Sequence, residues 1–271
     1  NISSRAYCST GNRVAIGGFV VSGTTERRVL VRAVGPTLTS LGIGETEVLL
    51  DPTISVYHGS SVFATNDNWG DDPDASALVT VGDQIGANRL LESDTHSSAM
   101  LLSLTPGVYS FVASGRNSSS GIVLLEVYDA QPADRTSSFV NISTRAYSTT
   151  GNGVTIGGFV IAGETPKRVL LRAVGSTLTT RGISDAEVLA DPVIELHRGS
   201  PVIASNDNWG TNSNAAEIVA TGARIGAAPL AAGDTRSSAL LLFLQPGPYT
   251  FIASGKSNAS GIVLVEVYDA D

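Results

Sequence analysis

The pentapeptide Asn-Asp-Asn-Trp-Gly occurs twice, at positions 66–70 and 206–210, and it contains both tryptophans of the chain. The first occurrence runs into an acidic tail, Asp-Asp-Pro-Asp, so carboxylate and amide oxygens crowd one short loop. Such oxygens are the ligands that Ca²⁺ prefers, although their spacing differs from that of an EF-hand loop. The alternative is an Asx-rich turn that bonds to its own backbone. The predicted calcium ligands are Asp67, Asn68, Asp71, Asp72 and Asp74.

The second occurrence replaces the acids of this tail by Thr211, Asn212 and Asn214, so a calcium site is predicted in the first occurrence. The tryptophans themselves allow two interpretations. Trp69 and Trp209, beside Asn66 and Asn206, could stack on a sugar ring. They could equally close the end of a β-sandwich, with the indole N–H bonded to a loop carbonyl.

No residue set predicts catalysis. A catalytic set would have to recur in both halves of the duplicated chain described below, and the histidines do not, because His58, His96 and His197 align with Arg198, Arg236 and Tyr57. Cys8 aligns with Ser148, which argues against a catalytic thiol and for a small buried residue. Recurring acids such as Asp51 and Asp94 sit at apparent turns or caps, and Glu126 is expected to pair with Arg28 or Arg32. The sequence therefore predicts that the chain is not an enzyme and has no certain cofactor.

A tandem duplication organises the chain. Residues 1–131 align with residues 141–271 at a constant offset of 140, without insertions, and 76 of the 131 aligned positions are identical. This pattern predicts two like domains at 1–131 and 141–271, joined by a polar linker at 132–140 that contains Pro132.

Each domain has the pattern of short strands separated by turns. In the first, strands are predicted at 2–8, 13–22, 27–35, 53–58, 61–66, 97–104, 107–115 and 121–129. A helical turn or two is predicted at 75–81 and 215–221. The fold class that follows is all-β: two tandem β-sandwich domains, jelly-roll-like, each with about eight strands and at most a short helix.

Composition and charge argue against two kinds of binding partner, nucleic acid and a membrane. The net charge is −8 without a basic cluster, which argues against nucleic acid, and no apolar run is long enough to span a membrane. The first domain carries −6 and the second −2. Because the chain starts at Asn1 rather than Met, we expect a processed or excised chain.

The combined motifs resemble a known repeat. Asn-Ile-Ser-Thr-Arg-Ala, Gly-Gly-Phe-Val, Asn-Asp-Asn-Trp-Gly and the ending Gly-Ile-Val-Leu-Val-Glu-Val-Tyr-Asp resemble a repeat of large secreted and surface proteins of Verrucomicrobia-type environmental bacteria. The ending is also loosely similar to bacterial pre-peptidase C-terminal domains. The first resemblance implies an extracellular, non-enzymatic module and assigns no functional residues.

The linker suggests how such units could assemble. Phe139 and Val140 are apolar residues in a polar segment, and we expect them to add to a sheet edge of a neighbouring domain. The first domain could receive the same contact from another subunit. The leading expectation is thus a structural or adhesive module of a repeat array, surface layer or filament, whose partners are like subunits or repeats. The alternatives are a carbohydrate-binding module for a polysaccharide, assisted by calcium in the first domain, and an ancillary domain of a secreted hydrolase.

Overall fold

A computed structural model describes residues 2–134 and 136–271, apart from the side chains of Ile2 and Val140. The chain divides into two compact units, Asn1–Ile142 and Ser143–Asp271. The all-β prediction is confirmed, since antiparallel strands form the body of both units. The boundary lies at the end of the linker, so residues 132–140 belong to the first unit.

The strands of unit 1 follow the predicted turns closely. They are β1 (Ile2–Cys8), β2 (Ala15–Gly23), β3 (Arg27–Val34), β4 (Pro52–His58), β5 (Ser61–Asn66), β6 (Ser98–Leu104), β7 (Gly107–Gly115) and β8 (Gly121–Asp129), followed by the first part of β9 (Ser137–Ser148). One sheet has the order β9–β2–β7–β4–β5, and the other has the order β1–β8–β3–β6.

Side-chain alternation explains how the two sheets of unit 1 pack. In β2 every second residue is buried, from Ala15 to Val21, as expected for a strand with one face on a core. Phe19 of β2 stacks on Tyr109 of β7 at a ring distance of 5.7 Å. Residues of β3, β6 and β8 complete the same apolar cluster, so the unit is a β-sandwich with its core between the sheets.

Unit 2 repeats this arrangement. Its strands are the rest of β9, then β10 (Thr155–Ile161), β11 (Lys167–Val174), β12 (Pro192–His197), β13 (Val202–Asn206), β14 (Ser238–Leu244), β15 (Gly247–Gly255) and β16 (Gly261–Asp269). The sheets have the orders β10–β15–β12–β13 and β9–β16–β11–β14. A separate apolar cluster fills this sandwich.

Within the described residues, each unit has one α-helix, and it is longer than the predicted turn or two. Helix α1 spans Ala75–Ile85 and helix α2 spans Ala215–Arg224. The predicted turn ends at position 81, before Gly82, a residue that disfavours helix interiors. The helix continues to Ile85 and ends before Gly86, which adopts a left-handed φ of +73°.

Candidate functional site

Both tryptophans of the NDNWG segments anchor their loops. The backbone N–H of Trp69 donates to Ser97 O at 2.9 Å, and its indole N–H donates to Asp94 O at 2.6 Å. The ring packs on the cluster that holds helix α1 to the sheet, around Leu30 and Leu78. This geometry matches the second interpretation of Trp69, in which the ring closes the end of the sandwich and its indole N–H bonds to a loop carbonyl.

Trp209 repeats these contacts in unit 2. Its backbone N–H donates to Ser237 O at 2.9 Å, and its indole N–H donates to Asp234 O at 2.8 Å. The ring packs against a cluster that includes Ile218 of α2. A contact pattern kept in both units is therefore a property of the fold.

A buried carboxylate lies beneath each tryptophan. Asp94 is 1% exposed, and its Oδ2 accepts hydrogen bonds from the Thr37 hydroxyl at 2.6 Å and the Ser97 hydroxyl at 2.7 Å. Asp234 has the same partners in unit 2, Thr177 and Ser237. Burial alone would raise the pKa of Asp234, but these hydrogen bonds outweigh it and hold the pKa below its usual value. The carboxylates thus tie loops together.

The two asparagines proposed beside the tryptophans also bond internally. The Asn66 amide N–H donates to Asn68 O at 3.2 Å, and its Oδ1 accepts the N–H of Ala99 at 3.0 Å. Asn206 makes the equivalent bonds, and its Oδ1 accepts the N–H of Ala239 at 2.9 Å. These side chains join the end of β5 or β13 to the next strand.

Of the five predicted calcium ligands, Asp67, Asn68 and Asp71 line one open pocket, and Asp72 and Asp74 do not. The carboxylate of Asp67 pairs with Arg116, and Asp71 accepts a bond from the Asn68 amide at 3.2 Å. Asp72 accepts the backbone N–H of Asp74 at 2.8 Å, in an Asx turn. Across residues 2–134 and 136–271, no three His, Cys, Asp or Glu side chains are placed to hold a metal ion. Calcium binding stays a prediction.

The acidic tail has an electrostatic role at the start of helix α1. Asp71, Asp72 and Asp74 precede this helix, whose first turn contains no acid. In unit 2 the tail is neutral, but Glu217 lies in the first turn of α2. Negative charge near a helix N-terminus is favourable because the backbone N–H groups there are unpaired. Each unit therefore places negative charge near the N-terminus of its helix, unit 1 in the preceding loop and unit 2 in the first turn of the helix.

A cavity of about 270 Å³ opens beside Trp69. Its floor is apolar, with Leu30 and Ala99, and its rim carries the exposed ion pair of Asp83 and Arg89. In unit 2 the floor residues recur, but the rim residues Asp83, Arg89 and Glu92 correspond to Ala223, Pro229 and Ala232. The polar rim is therefore specific to unit 1.

A buried ion pair lies next to this cavity. The Arg32 guanidinium donates to Glu126 Oε2 at 2.8 Å through Nε and at 2.5 Å through Nη2, and it also donates to Asn88 O. Tyr128 donates its hydroxyl to Glu126 Oε1 at 2.6 Å. Of the two arginines proposed as partners of Glu126, Arg32 makes the pair. Burial, with the charge of Glu126, raises the pKa of Tyr128.

Cys8 is fully buried, and its Sγ lies 3.2 Å from Ala113 O. The corresponding Ser148 donates to Ala253 O at 2.9 Å, so thiol and hydroxyl fill the same place. Burial raises the pKa of the Cys8 thiol to about 11, against hydrogen bonds that lower it. Such a thiol is poorly nucleophilic.

The end of the linker forms a strand on unit 1. The sequence predicted that this segment adds to a sheet edge but did not identify which edge. The N–H of Thr24, just beyond β2, donates to Thr136 O at 3.2 Å, and the Thr25 and Thr136 hydroxyls lie 2.5 Å apart. Ser137, at the start of β9, is buried, and β9 is the neighbour of β2 in the sheet. The edge of β2 is thus covered from within the chain rather than by another subunit.

Phe139 anchors this strand. Its ring meets that of Phe19 edge to face at 5.5 Å and packs on the core of unit 1. The side chain of Val140, the other predicted assembly residue, lies outside the described residues. Upstream, Arg27 donates to Asp134 O at 2.9 Å and pairs with Asp129 at 2.8 Å. Asp134 and residues 136–139 therefore pack as part of unit 1.

Comparison with known proteins adds little. No protein-family model and no curated protein sequence matches the chain. Among solved structures, similar ones include the STIV MCP crystal structure, at 10% identity and a TM-score of 0.22 over 98% of this chain and 90% of that one. Another is the structure of Sulfolobus Turreted Icosahedral Virus, at 10% identity and a TM-score of 0.15 over 99% and 89%. TM-scores this low carry no argument about function. Within the described part of the chain, no helix has the length and apolar character needed to cross a membrane.

Proposed function

We propose that this chain is a non-enzymatic, extracellular structural module of a repeat array, surface layer or filament. In this array, the strand that leads into one repeat completes the sheet of the repeat before it. Like repeats are the partners, and backbone pairing together with a few apolar side chains supplies the adhesion.

The observation that carries this proposal is the linker strand. Thr136 pairs with Thr24 at the end of β2, Ser137 is buried, and Phe139 enters the core beside Phe19. Strand β9, which includes Ser137 and Phe139, runs on without a break to Ser148, in unit 2. Because one strand serves two repeats, it can transmit load along an array and leaves no exposed edge at the place it covers.

The polar groups kept in both units support the same proposal. The recurring Asp94, Trp69 and Asn66, like Arg32 and Glu126, are all engaged in hydrogen bonds that hold loops and sheets together. Duplication has preserved scaffold contacts, while residues able to do acid–base chemistry, such as His58 and His96, have not recurred.

Sedimentation velocity and negative-stain microscopy of the whole chain over a range of concentrations test the proposal. We expect linear particles that lengthen with concentration. A chain that stays monomeric at every concentration and binds a soluble glycan would contradict it.

A carbohydrate-binding function assisted by calcium is the second candidate, and two observations in unit 1 favour it. Trp69 lines the 270 Å³ cavity, whose rim carries Asp83 and Arg89. In the nearby loop, Asp67 Oδ1 and Asn68 Oδ1 are buried and have no hydrogen-bond partner within the described part of the chain. Buried oxygens of this kind are normally satisfied, and a cation is one way to satisfy them.

A glycan array and a calcium titration separate the two candidates. Because Trp69 anchors its loop, its removal would disturb the fold as well as any glycan site. The rim variant Asp83→Ala/Arg89→Ala is the better probe, since unit 2 has Ala223 and Pro229 at these positions and folds in the same way. Under the second candidate, this variant loses glycan binding and Asp71→Asn/Asp72→Asn loses a calcium-induced rise in Tm. If wild type gives neither signal, this candidate is refuted.

A further inference from the structure

Strands β5 and β13 are edge strands of their sheets. Within the described part of the chain, β5 pairs with β4 alone and β13 pairs with β12 alone, so the outer edge of each carries no strand. Neither strand contains a charged residue or a proline, and the one bulge in each pairing lies near the turn. The last residue of each strand, Asn66 or Asn206, is bonded through its side chain to the strand that follows. The backbone groups before it are a template for another strand.

Both edges also expose apolar side chains. Val62 of β5 is 57% exposed, and Val202, at the aligned position of β13, is 50% exposed. The residues that follow them, Phe63 and Ile203, are half-exposed as well. Contacts between apolar side chains on adjacent strands stabilise strand pairing, so these side chains favour a strand partner over water.

A polar pocket adjoins the end of β5. Asp67, Asn68 and Asp71 are among the residues that line it. Asp67 Oδ1 and Asn68 Oδ1 are buried and have no hydrogen-bond partner within the described part of the chain. In unit 2, Thr211 stands at the position of Asp71, so the second carboxylate of this pocket is specific to unit 1. Buried acceptors of this kind require a donor, and a cationic donor suits two carboxylates.

A donor of this kind lies in unit 2. Arg198 is an exposed residue of the turn between β12 and β13, and its counterpart in unit 1 is His58. Its Nη2 donates to Pro246 O at 3.1 Å, and its guanidinium carbon lies 5.6 Å from the centroid of the Tyr249 ring. A guanidinium has five N–H donors, so Arg198 keeps donors for a carboxylate. When β5 and β13 pair antiparallel, the turn before β13 lies beside the loop after β5.

We infer that β5 of one chain pairs antiparallel with β13 of a second copy of the chain, and that Arg198 of the second copy binds in the pocket of Asp67 and Asp71. This inference rests on the proposed function, since it names the surfaces through which separate chains associate. Pairing of β5 with another β5 would bring His58 rather than an arginine to the pocket. Because the two surfaces differ, the contact is heterologous and can repeat without closing, as a linear assembly requires.

Lysines on the two edges test the strand pairing. The register of each hairpin places Val62 and Thr65, and likewise Val202 and Ser205, on one exposed face. In sedimentation velocity, Val62→Lys/Thr65→Lys and Val202→Lys/Ser205→Lys should each stay monomeric at concentrations where wild type associates, with wild-type circular dichroism. An equimolar mixture should form heterodimers, because each variant keeps the edge that the other lacks. Association of either variant alone to the wild-type extent, or a mixture that stays monomeric, would overturn the inference.

A double-mutant cycle tests the ionic contact. Arg198→His and Asp71→Thr each introduce the residue that the other unit has at the aligned position, so the fold already accommodates both. Each should weaken association of the whole chain about tenfold, and the double variant should be no weaker than the single ones. Added salt should weaken the association of wild type more than that of either variant. Losses that add in the double variant would overturn the contact between these two residues.

The same measurements distinguish this inference from the proposed function. Linear particles that the lysine variants form as readily as wild type would refute the edge contact and keep the array. Closed dimers that the lysine substitutions dissociate would refute the array and keep the edge contact. A wild-type chain that stays monomeric at every concentration would refute both.

Discussion

Substitution of Phe139 by alanine should destabilise unit 1, although the residue lies in the predicted linker. Its ring contacts Phe19 at 5.5 Å and packs on the core of that unit. Truncation of a fully buried phenylalanine costs about 3–5 kcal/mol, and Phe139 is half-buried, so we expect a loss of about 2 kcal/mol. For a unit of this size, that corresponds to a fall in Tm of about 6–8 °C.

The assay follows each unit separately and keeps both tryptophans. Hydrogen exchange measured at increasing urea concentrations reports unfolding of unit 1 at Ala15–Gly23, which also senses opening of the covered edge, and unfolding of unit 2 at Thr155–Ile161. The matched control is Phe243→Ala on β14, because Phe243 is 73% exposed and should cost less than about 0.5 kcal/mol in unit 2. If Phe139→Ala costs unit 1 no more than this and leaves exchange in β2 unchanged, the linker is not a strand of unit 1.

Three further outcomes follow from the buried groups. Cys8 should resist thiol reagents until the chain unfolds, because burial raises the pKa of its thiol to about 11, and rapid labelling of the native chain would contradict this. The variant Cys8→Ser should keep wild-type stability, because Ser148 already makes the equivalent hydrogen bond in unit 2. Glu126→Gln should cost unit 1 about 3–5 kcal/mol in urea unfolding because it leaves the charge of Arg32 buried without its partner, and a loss below about 1 kcal/mol would count against the pair. The folded-state pKa of Asp234 is depressed, so its contribution to stability is present above its unfolded pKa of 3.8 and is lost as the pH falls through the lower folded value; Asp234→Asn should flatten this acid dependence in unit 2, as followed by Trp209 fluorescence.

Much of the fold could be predicted from the sequence because local signals were strong. Gly, Pro, Asn and Asp mark nearly every turn, and alternation in β2 marks which face is buried. The alternation of polar and apolar residues in β3 misleads, because both faces of that strand are buried, the outer one under helix α1. Because the two copies align without insertions, each predicted element could be checked against a second sequence. The last turn of helix α1 was missed because Gly82, a poor helix former, follows Val81, although Ile85 continues the apolar face of Leu78 and Val81.

The candidate site was less predictable because its contacts join residues that are distant in the chain. Nothing local in the sequence indicates that Trp69 donates to Asp94 O, or that Asp67 pairs with Arg116. The linker posed the same difficulty. Phe139 stood out as an apolar residue in a polar segment, but only the structure brings it to Phe19.

The internal duplication separates scaffold from function in a way that a single domain could not. The acidic tail after Gly70 is absent from unit 2, where a single carboxylate, that of Glu217, lies in the first turn of α2 and pairs with Arg168. The hydrogen bonds of Trp69 recur at Trp209, so those contacts belong to the scaffold. The unshared acidic tail and the unshared cavity rim of unit 1 are therefore the candidates for ligand binding.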